Sequence, residues 1–289
     1  MKILYATDGS ENAEAAAECL ARLYKGTDHE LTMLSVIDLP PLNYAMNKRA
    51  LEKEYVNQQK ELIEKDFNHA EEILFRPEHP IARKIPIGHI GQEIVQQAKS
   101  TDVDLIVVGA VGRSLIDRVL LGNVSEYVAT HSHCSVLVVR PPRGGSAGPW
   151  LVASDGSEQV AKSLEEIAQA GFLEGRKARG IQIMTPPPAI CTEADAQAIR
   201  KAISEETQEN LSHLSLICEK HTIDWSQMTL ESSHPGNAIC ETAEQYGSDF
   251  IVVGSTGKSL VARVLTGSVS RFVLRHAPCS VWIGRSKEG

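Results

Sequence analysis

Short apolar runs alternate with longer amphipathic stretches along the whole chain. In the N-terminal half the runs KILYA (2–6), LTMLSV (31–36), ARKIPI (82–87), LIVVG (105–109) and SVLVV (135–139) are apolar throughout or nearly so. A strand covered on both faces reads this way, whereas a half-exposed strand alternates apolar and polar positions. Between these runs, helical periodicity is expected at about 10–24, 43–75, 91–100 and 123–131. The C-terminal half predicts strands near 150–153, 180–184, 228–232, 249–253 and 280–284. Strands alternating with helices imply parallel crossovers and a doubly wound α/β sheet. In the longest helix Leu51, Tyr55, Leu62, Phe67, Ala70 and Leu74 fall close to helical spacing among many charges, so this face is expected to lie on the sheet.

The two halves are copies of one another. ILYATDGSENAEAAAECLARL (3–23) answers to LVASDGSEQVAKSLEEIAQA (151–170), and HSHCSVLVVR (131–140) to HAPCSVWIGR (276–285). GAVGRSLIDRVLLGNVS (109–125) aligns without a gap on GSTGKSLVARVLTGSVS (254–270), with ten of seventeen positions identical. The repeating unit is about 140 residues, far too long for a solenoid repeat, so the chain is a duplicated domain. The Pro- and Gly-rich stretch RPPRGGSAGP (140–149) reads as the connection. The expected division is 1–141 and 149–289, with a linker at 142–148.

In an open parallel sheet, ligands sit beyond the carboxyl ends of the strands, where the strand order reverses. Three features of each copy collect there. The first strand ends in Asp8-Gly9-Ser10 or Asp155-Gly156-Ser157, and the fourth runs into Gly109-x-x-Gly112 or Gly254-x-x-Gly257. After nine more residues, Gly122-Asn123 or Gly267-Ser268 opens a helix. Glycines let backbone approach a ligand closely. The helix start supplies unpaired N–H groups and a partial positive charge, which suit an anion. Arg113 and Lys258 follow the second glycine and add a full positive charge. Together these residues suit a phosphate-bearing ligand whose other end donates hydrogen bonds to Asp8 or Asp155.

Other patterns fail. GKS at 257–259 resembles the end of a P-loop, but that motif needs a glycine where Val252 stands. No GxGxxG follows a first strand. His131, His133 and Cys134 sit close together, yet only His276 and Cys279 repeat them, and Pro278 replaces His133. A helix end running into a strand accounts for them better than a metal site does. The net charge of −8 argues against nucleic acid as a main partner. The six cysteines form no CxxC pair, and neither a signal peptide nor a membrane span is recognisable. A reduced cytoplasmic protein with mostly buried thiols is expected.

The spacing G-x2-G-x9-G-[ST] after an IVVG strand, with DGS after the first strand, resembles the universal stress protein family. The resemblance covers nearly the whole chain as two tandem domains. It implies two five-stranded parallel sheets in order 3-2-1-4-5, of the adenine nucleotide alpha hydrolase-like type. It also implies ATP or a related adenine nucleotide at the switch point, with Mg2+ as companion, although another branch of the family does not bind ATP. Members pair through the edge strand that ends the domain, here SVLVV and SVWIG, so a tandem chain can form that pair internally and still form a further homodimer.

Carried over residue by residue, the resemblance places Asp155 near the adenosine and Ile183 at the end of the second strand. Gly254, Gly257, Gly267 and Ser268 surround ribose and phosphates, with Val269 and Ser270 adding contacts from the helix start. The matching residues of the first domain are Asp8, Val36, Gly109, Gly112, Gly122, Val124 and Ser125, while Asn123 departs from the pattern. Asn and Ser cap helices equally well, but Asn is bulkier and must turn its NH2 toward an anion, so weaker binding is expected there. Thr185-Pro186-Pro187-Pro188 is a stiff run beside the expected adenine pocket, which either narrows the pocket or redirects the chain.

The resulting expectation is a stress-response regulator that binds ATP and changes its protein partner with occupancy. Slow ATP hydrolysis is the most it is expected to catalyse, since no general base or nucleophile can be named beside the phosphates. The alternative is an ATP-independent interaction protein of the same fold with vestigial pockets. Adenylate-forming ATP pyrophosphatases have a similar sheet, but their SGGxDS-type loop is absent from TDGSEN and SDGSEQ.

Overall fold

The central apolar runs become strands buried on both faces, while those at 82–84 and 224–231 stay largely exposed or half-buried. Ile3, Leu4 and Tyr5 are at most 1% exposed, as are Leu105, Ile106 and Val107. The computed structural model describes residues 1–23, 29–41, 48–74, 80–112, 121–142, 148–188, 190–255 and 267–285. Met1–Pro141 fall in one unit and Pro142–Ser286 in a second.

The first unit runs β1 (Lys2–Ala6), α1 (Glu11–Leu23), β2 (Glu30–Leu34), α2 (Lys48–Leu74), β3 (Ala82–Lys84), α3 (Ile90–Ser100), β4 (Leu105–Gly109), α4 (Asn123–His131) and β5 (Ser135–Val139). Its strands lie in the order β3-β2-β1-β4-β5, and every pairing is parallel. The second unit runs β6 (Trp150–Ser154), α5 (Glu158–Gln169), β7 (Lys177–Met184), α6 (Glu193–Lys220), β8 (Asp224–Glu231), α7 (Pro235–Gln245), β9 (Phe250–Gly254), α8 (Ser268–His276) and β10 (Ser280–Gly284). Its order, β8-β7-β6-β9-β10, is the same topology. Within each unit the helices pack in pairs, α1 with α2 and α3 with α4, then α5 with α6 and α7 with α8. Strands buried on both faces require one pair on each side. The reversal of strand order falls between β1 and β4, and between β6 and β9.

Two expectations are corrected. The runs 31–36 and 82–87 form shorter strands, because Pro86 has no N–H to continue the ladder. The chains still touch through Ser35 N–H to Lys84 O (3.1 Å) and Ile37 N–H to Pro86 O (2.9 Å), then a bridge between Ile37 and Ile87. In the second unit β7 and β8 contain no proline, and they pair over eight residues.

The apolar face of α2 is also narrower than expected. Ile63, Phe67, Ala70 and Leu74 are buried, whereas Leu51 and Leu62 are 44% and 46% exposed. A helix of 27 residues spans ~40 Å and a five-residue strand ~17 Å, so only part of α2 has sheet beneath it. Arg83 fastens that part to β3. It donates to Glu71 Oε1 (2.9 Å), Glu64 Oε2 (2.6 Å) and Asn68 Oδ1 (2.8 Å), with its guanidinium 5.8 Å above the Phe67 ring. On the same side, the buried Tyr5 hydroxyl donates to Ala13 O (2.6 Å) and pins α1 to β1. Burial pushes the phenol pKa far up, so it stays a neutral donor.

Candidate functional site

Each first strand ends in the same turn. Ser10 N–H donates to Asp8 Oδ1 (3.1 Å) and Gly9 N–H to Thr7 Oγ1 (3.2 Å). In the second unit Ser157 N–H donates to Asp155 Oδ1 (3.0 Å) and Gly156 N–H to Ser154 Oγ (3.0 Å). Gly9 and Gly156 have φ of 67° and 77°, a backbone state that side chains resist. The turn holds Asp8 and Asp155 exposed at the carboxyl edge of the sheet. In the first unit Ser10 Oγ also accepts from Ala13 N–H (3.3 Å) at the start of α1.

The glycine-patterned segment leaves the sheet through a closed ring of hydrogen bonds. Ala110 N–H donates to Val139 O (2.8 Å), Gly122 N–H to Ala110 O (2.8 Å) and Ser125 Oγ to Gly109 O (2.6 Å). The second copy repeats the ring with Ser255 N–H to Gly284 O (3.0 Å), Gly267 N–H to Ser255 O (2.6 Å) and Ser270 Oγ to Gly254 O (2.5 Å). The segment therefore begins and ends at one residue, and the helix start is clamped to the end of its strand. A Cβ on Gly109 would lie 2.8 Å from the Asn12 backbone, so glycine is what lets the strand end pass this close to α1, and Gly112 lies beside the Asp8 carboxylate.

The capping residues are Gly122 and Gly267, with ψ of 147° and 161°, and neither Asn123 nor Ser268 caps its helix. This corrects the sequence expectation. The glycine N–H is already held by Ala110 O or Ser255 O, which fixes the extended backbone at that position. Asn123 and Ser268 become the first helical residues, and both are exposed. A glycine cap has no side chain to satisfy the first-turn N–H groups, and a helix start of this kind suits an anion. Ser125 and Ser270 are buried and donate their hydroxyls to strand carbonyls, so they offer a ligand backbone N–H rather than O–H.

The remaining candidates fall as follows. Val36 and Ile183 are half-buried beside the first-strand turns, since Thr7 N–H donates to Leu34 O and Ser154 stands opposite Gln182. Val124 and Val269 are half-buried in the first helical turn. The structure thus gathers Asp8, Val36, Gly109, Gly112, Gly122, Asn123, Val124 and Ser125 at one sheet edge. It gathers Asp155, Ile183, Gly254, Gly267, Ser268, Val269 and Ser270 at the other. Arg113, Gly257 and Lys258 lie outside the described residues. Thr185–Pro188 leads into a turn closed by Cys191 N–H to Pro188 O (3.0 Å), and α6 begins at its Thr192 cap.

The two sites differ in residues that the motif does not include. Gln159 Nε2 in α5 donates to Ser255 Oγ (3.0 Å), tying the cradle to the helix after the Asp155 turn. Ser255 corresponds to Ala110 in the first copy, which has no hydroxyl. Asn210 of α6 lies against Gly156 and donates to Gln182 Oε1 (3.4 Å), where the first copy has Ser35. In the first turn of the last helix, Arg271 replaces Glu126. Each is a mismatch between the repeats, which was the available signal. Shared motifs draw attention to what the copies retain and away from such differences.

His131 and His276 are spent on their own helices. His131 Nδ1 is 2.9 Å from Tyr127 O and its ring stacks on Tyr127 at 4.0 Å. His276 Nδ1 is 2.8 Å from Phe272 O and stacks on Phe272 at 4.1 Å. Among the described residues, no group of three or more His, Cys, Asp or Glu side chains could hold a metal. All six cysteines are free thiols, five of them buried, and burial pushes the Cys218 thiol up to about 12.

The sequence model of the universal stress protein family matches residues 1–140 and again 149–285. A universal stress protein of Methanocaldococcus jannaschii is 32% identical over 149 residues, covering 49% of this chain and 83% of that protein. One of Methanothermobacter thermautotrophicus is 34% identical over 144 residues, 48% of this chain and 94% of that protein. The crystal structure of a universal stress protein from Archaeoglobus fulgidus covers 99% of this chain and 97% of its own, with a TM-score of 0.67 at 22% identity. A structure from Pseudomonas aeruginosa, covering 99% of this chain and 92% of its own, has a TM-score of 0.64 at 14% identity. Those two structures establish likeness of fold. Among the described residues, no helix is long and apolar enough to cross a membrane. The family matches, the repeated glycine pattern and the twice-used sheet topology agree: the chain belongs to the universal stress protein family, as two tandem copies of its domain.

Proposed function

We propose that this protein is a stress-response regulator that binds an adenine nucleotide, ATP with Mg2+, at the carboxyl edge of its sheets and engages a protein partner according to occupancy. The observation that carries this reading is the glycine-capped helix start, clamped to the strand end by Ser125 or Ser270 beside an exposed Asp turn. Its first-turn N–H groups, which no side chain caps among the described residues, and the helix dipole favour phosphate, and an aspartate accepts hydrogen bonds from the nucleoside end.

In the second domain Asp155 and Ile183 would hold the nucleoside. Gly254, Gly257, Lys258, Gly267, Ser268, Val269 and Ser270 would hold ribose and phosphates. Asp8, Val36, Gly109, Gly112, Arg113, Gly122, Asn123, Val124 and Ser125 would do the same in the first. Bound Mg2+ would neutralise phosphate charge. At the helix start the backbone amides, the Asn123 carboxamide and the Ser268 hydroxyl would bind phosphate without activating water, so any hydrolysis would be slow.

Mass spectrometry of nucleotide released from the native protein tests the reading, together with melting in millimolar MgATP. A released adenine nucleotide and a raised melting temperature are expected. An empty protein whose melting temperature ATP leaves unchanged would instead support an ATP-independent interaction protein with vestigial pockets.

A further inference from the structure

Four positions around the end of β9 differ between the copies as a set. Ser255, Gln159, Ser163 and Gly284 of the second copy stand where the first has Ala110, Asn12, Ala16 and Val139. Ser255 is 4% exposed, and its N–H, carbonyl and hydroxyl are all engaged. The N–H donates to Gly284 O (3.0 Å) at the end of β10, and the carbonyl accepts from Gly267 N–H (2.6 Å) at the start of α8. The hydroxyl accepts from Gln159 Nε2 (3.0 Å) in the first turn of α5. Gln159 O in turn accepts from the buried Ser163 hydroxyl (2.8 Å), and a Cβ on Gly284 would overlap that hydroxyl. The first copy has a Cβ on Val139 and no hydroxyl on Ala16 or Ala110, so it cannot build the same circuit. A buried hydroxyl is destabilising unless paired, so the four residues work only as a set.

Resting on the nucleotide reading above, we propose that the Gln159–Ser255 hydrogen bond is a latch that holds the two ends of the second site at one spacing. Gln159 is a positioning residue. Helix α5 starts from the turn in which Asp155 accepts from Ser157 N–H (3.0 Å), so Gln159 moves with the nucleoside end. Ser255 holds Gly267 and so moves with the phosphate end. A nucleoside polyphosphate reaches both ends, meets a site already set to its length, and is bound at a lower ordering cost. A ligand that reaches one end alone gains nothing from the latch. The first domain has no hydroxyl at Ala110 to take this bond, so it offers no such preorganisation.

The full-length protein and its Gln159→Asn, Ser255→Ala and doubly substituted variants are titrated with MgATP, adenosine and inorganic tripolyphosphate. Both substitutions install the first copy's residue. Ser255→Ala removes a single oxygen, so the test stands even if Gln159→Asn does not fold. Amide hydrogen exchange at Gly267–Ser270 and Gly122–Ser125 reports the second and first cradles separately. Each single substitution should weaken MgATP at the second cradle about three- to tenfold, the range expected for one lost hydrogen bond. The double variant should lose no more than either single variant, because both changes remove the same bond. Adenosine, tripolyphosphate and the first cradle should be unaffected, which a general loss of stability would not produce. Unchanged MgATP binding in the single variants, additive losses in the double variant, or equal weakening of adenosine or tripolyphosphate overturns the latch and leaves the nucleotide reading standing. A native protein that binds no MgATP overturns the nucleotide reading, and the latch with it.

Discussion

Gly156 shows how tightly one residue can be specified. Its φ of 77° suits glycine, and a Cβ there would overlap the Asn210 amide. Gly156→Ala should therefore destabilise the protein by ~2–3 kcal/mol, the left-handed backbone alone accounting for ~1–2 kcal/mol. Asn210→Ala should relieve the overlap but not the backbone strain. In a double-mutant cycle by urea denaturation, the two substitutions should thus cost less together than the sum of each alone. The glycine and its aspartate neighbour were legible from Asp-Gly-Ser alone, because a sharp turn after a strand demands that residue type. Asn210 was not legible. It stands 54 positions away on another helix, and only packing brings it over the turn.

At the scale of elements, α2 separates periodicity from burial. Leu62 and Phe67 both fit an apolar helical pattern, yet Leu62 is 46% exposed and Phe67 is fully buried. Phe67→Ala should cost ~3–5 kcal/mol and Leu62→Ala within ~0.5 kcal/mol, read from denaturation midpoints. Helix α5 is tied to α6 through Glu165 Oε1, which accepts from Lys220 Nζ (2.5 Å) and lies 3.0 Å from His221 Nε2. The Lys220 hydrogen bond, then that of His221, lowers the Glu165 pKa from 4.5 to about 2. A carboxylate whose folded pKa is depressed contributes stability above its unfolded pKa and loses it as pH falls through the folded value. The contribution should thus be full above pH 4.5 and fade toward pH 2. Glu165→Gln should flatten this part of the stability–pH curve, and an unchanged slope would show that the tie contributes nothing. The pairing of helix ends that makes the tie follows from the crossover geometry, which sequence periodicity does not reveal.

For the whole molecule, duplication lets one site keep its chemistry while the other drifts. On the proposed nucleotide reading, Asn123 against Ser268 and Ala110 against Ser255 point the same way, toward the second domain as the stronger phosphate site. Limiting MgATP should protect the amides of Gly267–Ser270 before those of Gly122–Ser125. Asn123→Ser should narrow the gap, since both residues at this position are exposed at the helix mouth. Equal protection of both cradles at every ATP concentration would count against unequal sites. The sequence by itself determined the α/β class, the duplication, the strand order implied by family resemblance and the glycine framework. These depend on local periodicity, turn chemistry and repetition, all of which are written in consecutive residues. Tertiary structure alone decided that Gly122 and Gly267 cap their helices, that the buried serines lock strand to helix, and that Gln159 and Asn210 meet the second site. Those outcomes depend on which donors and acceptors come within reach once the sheet is built, and residues far apart in the chain reach one another only through the fold.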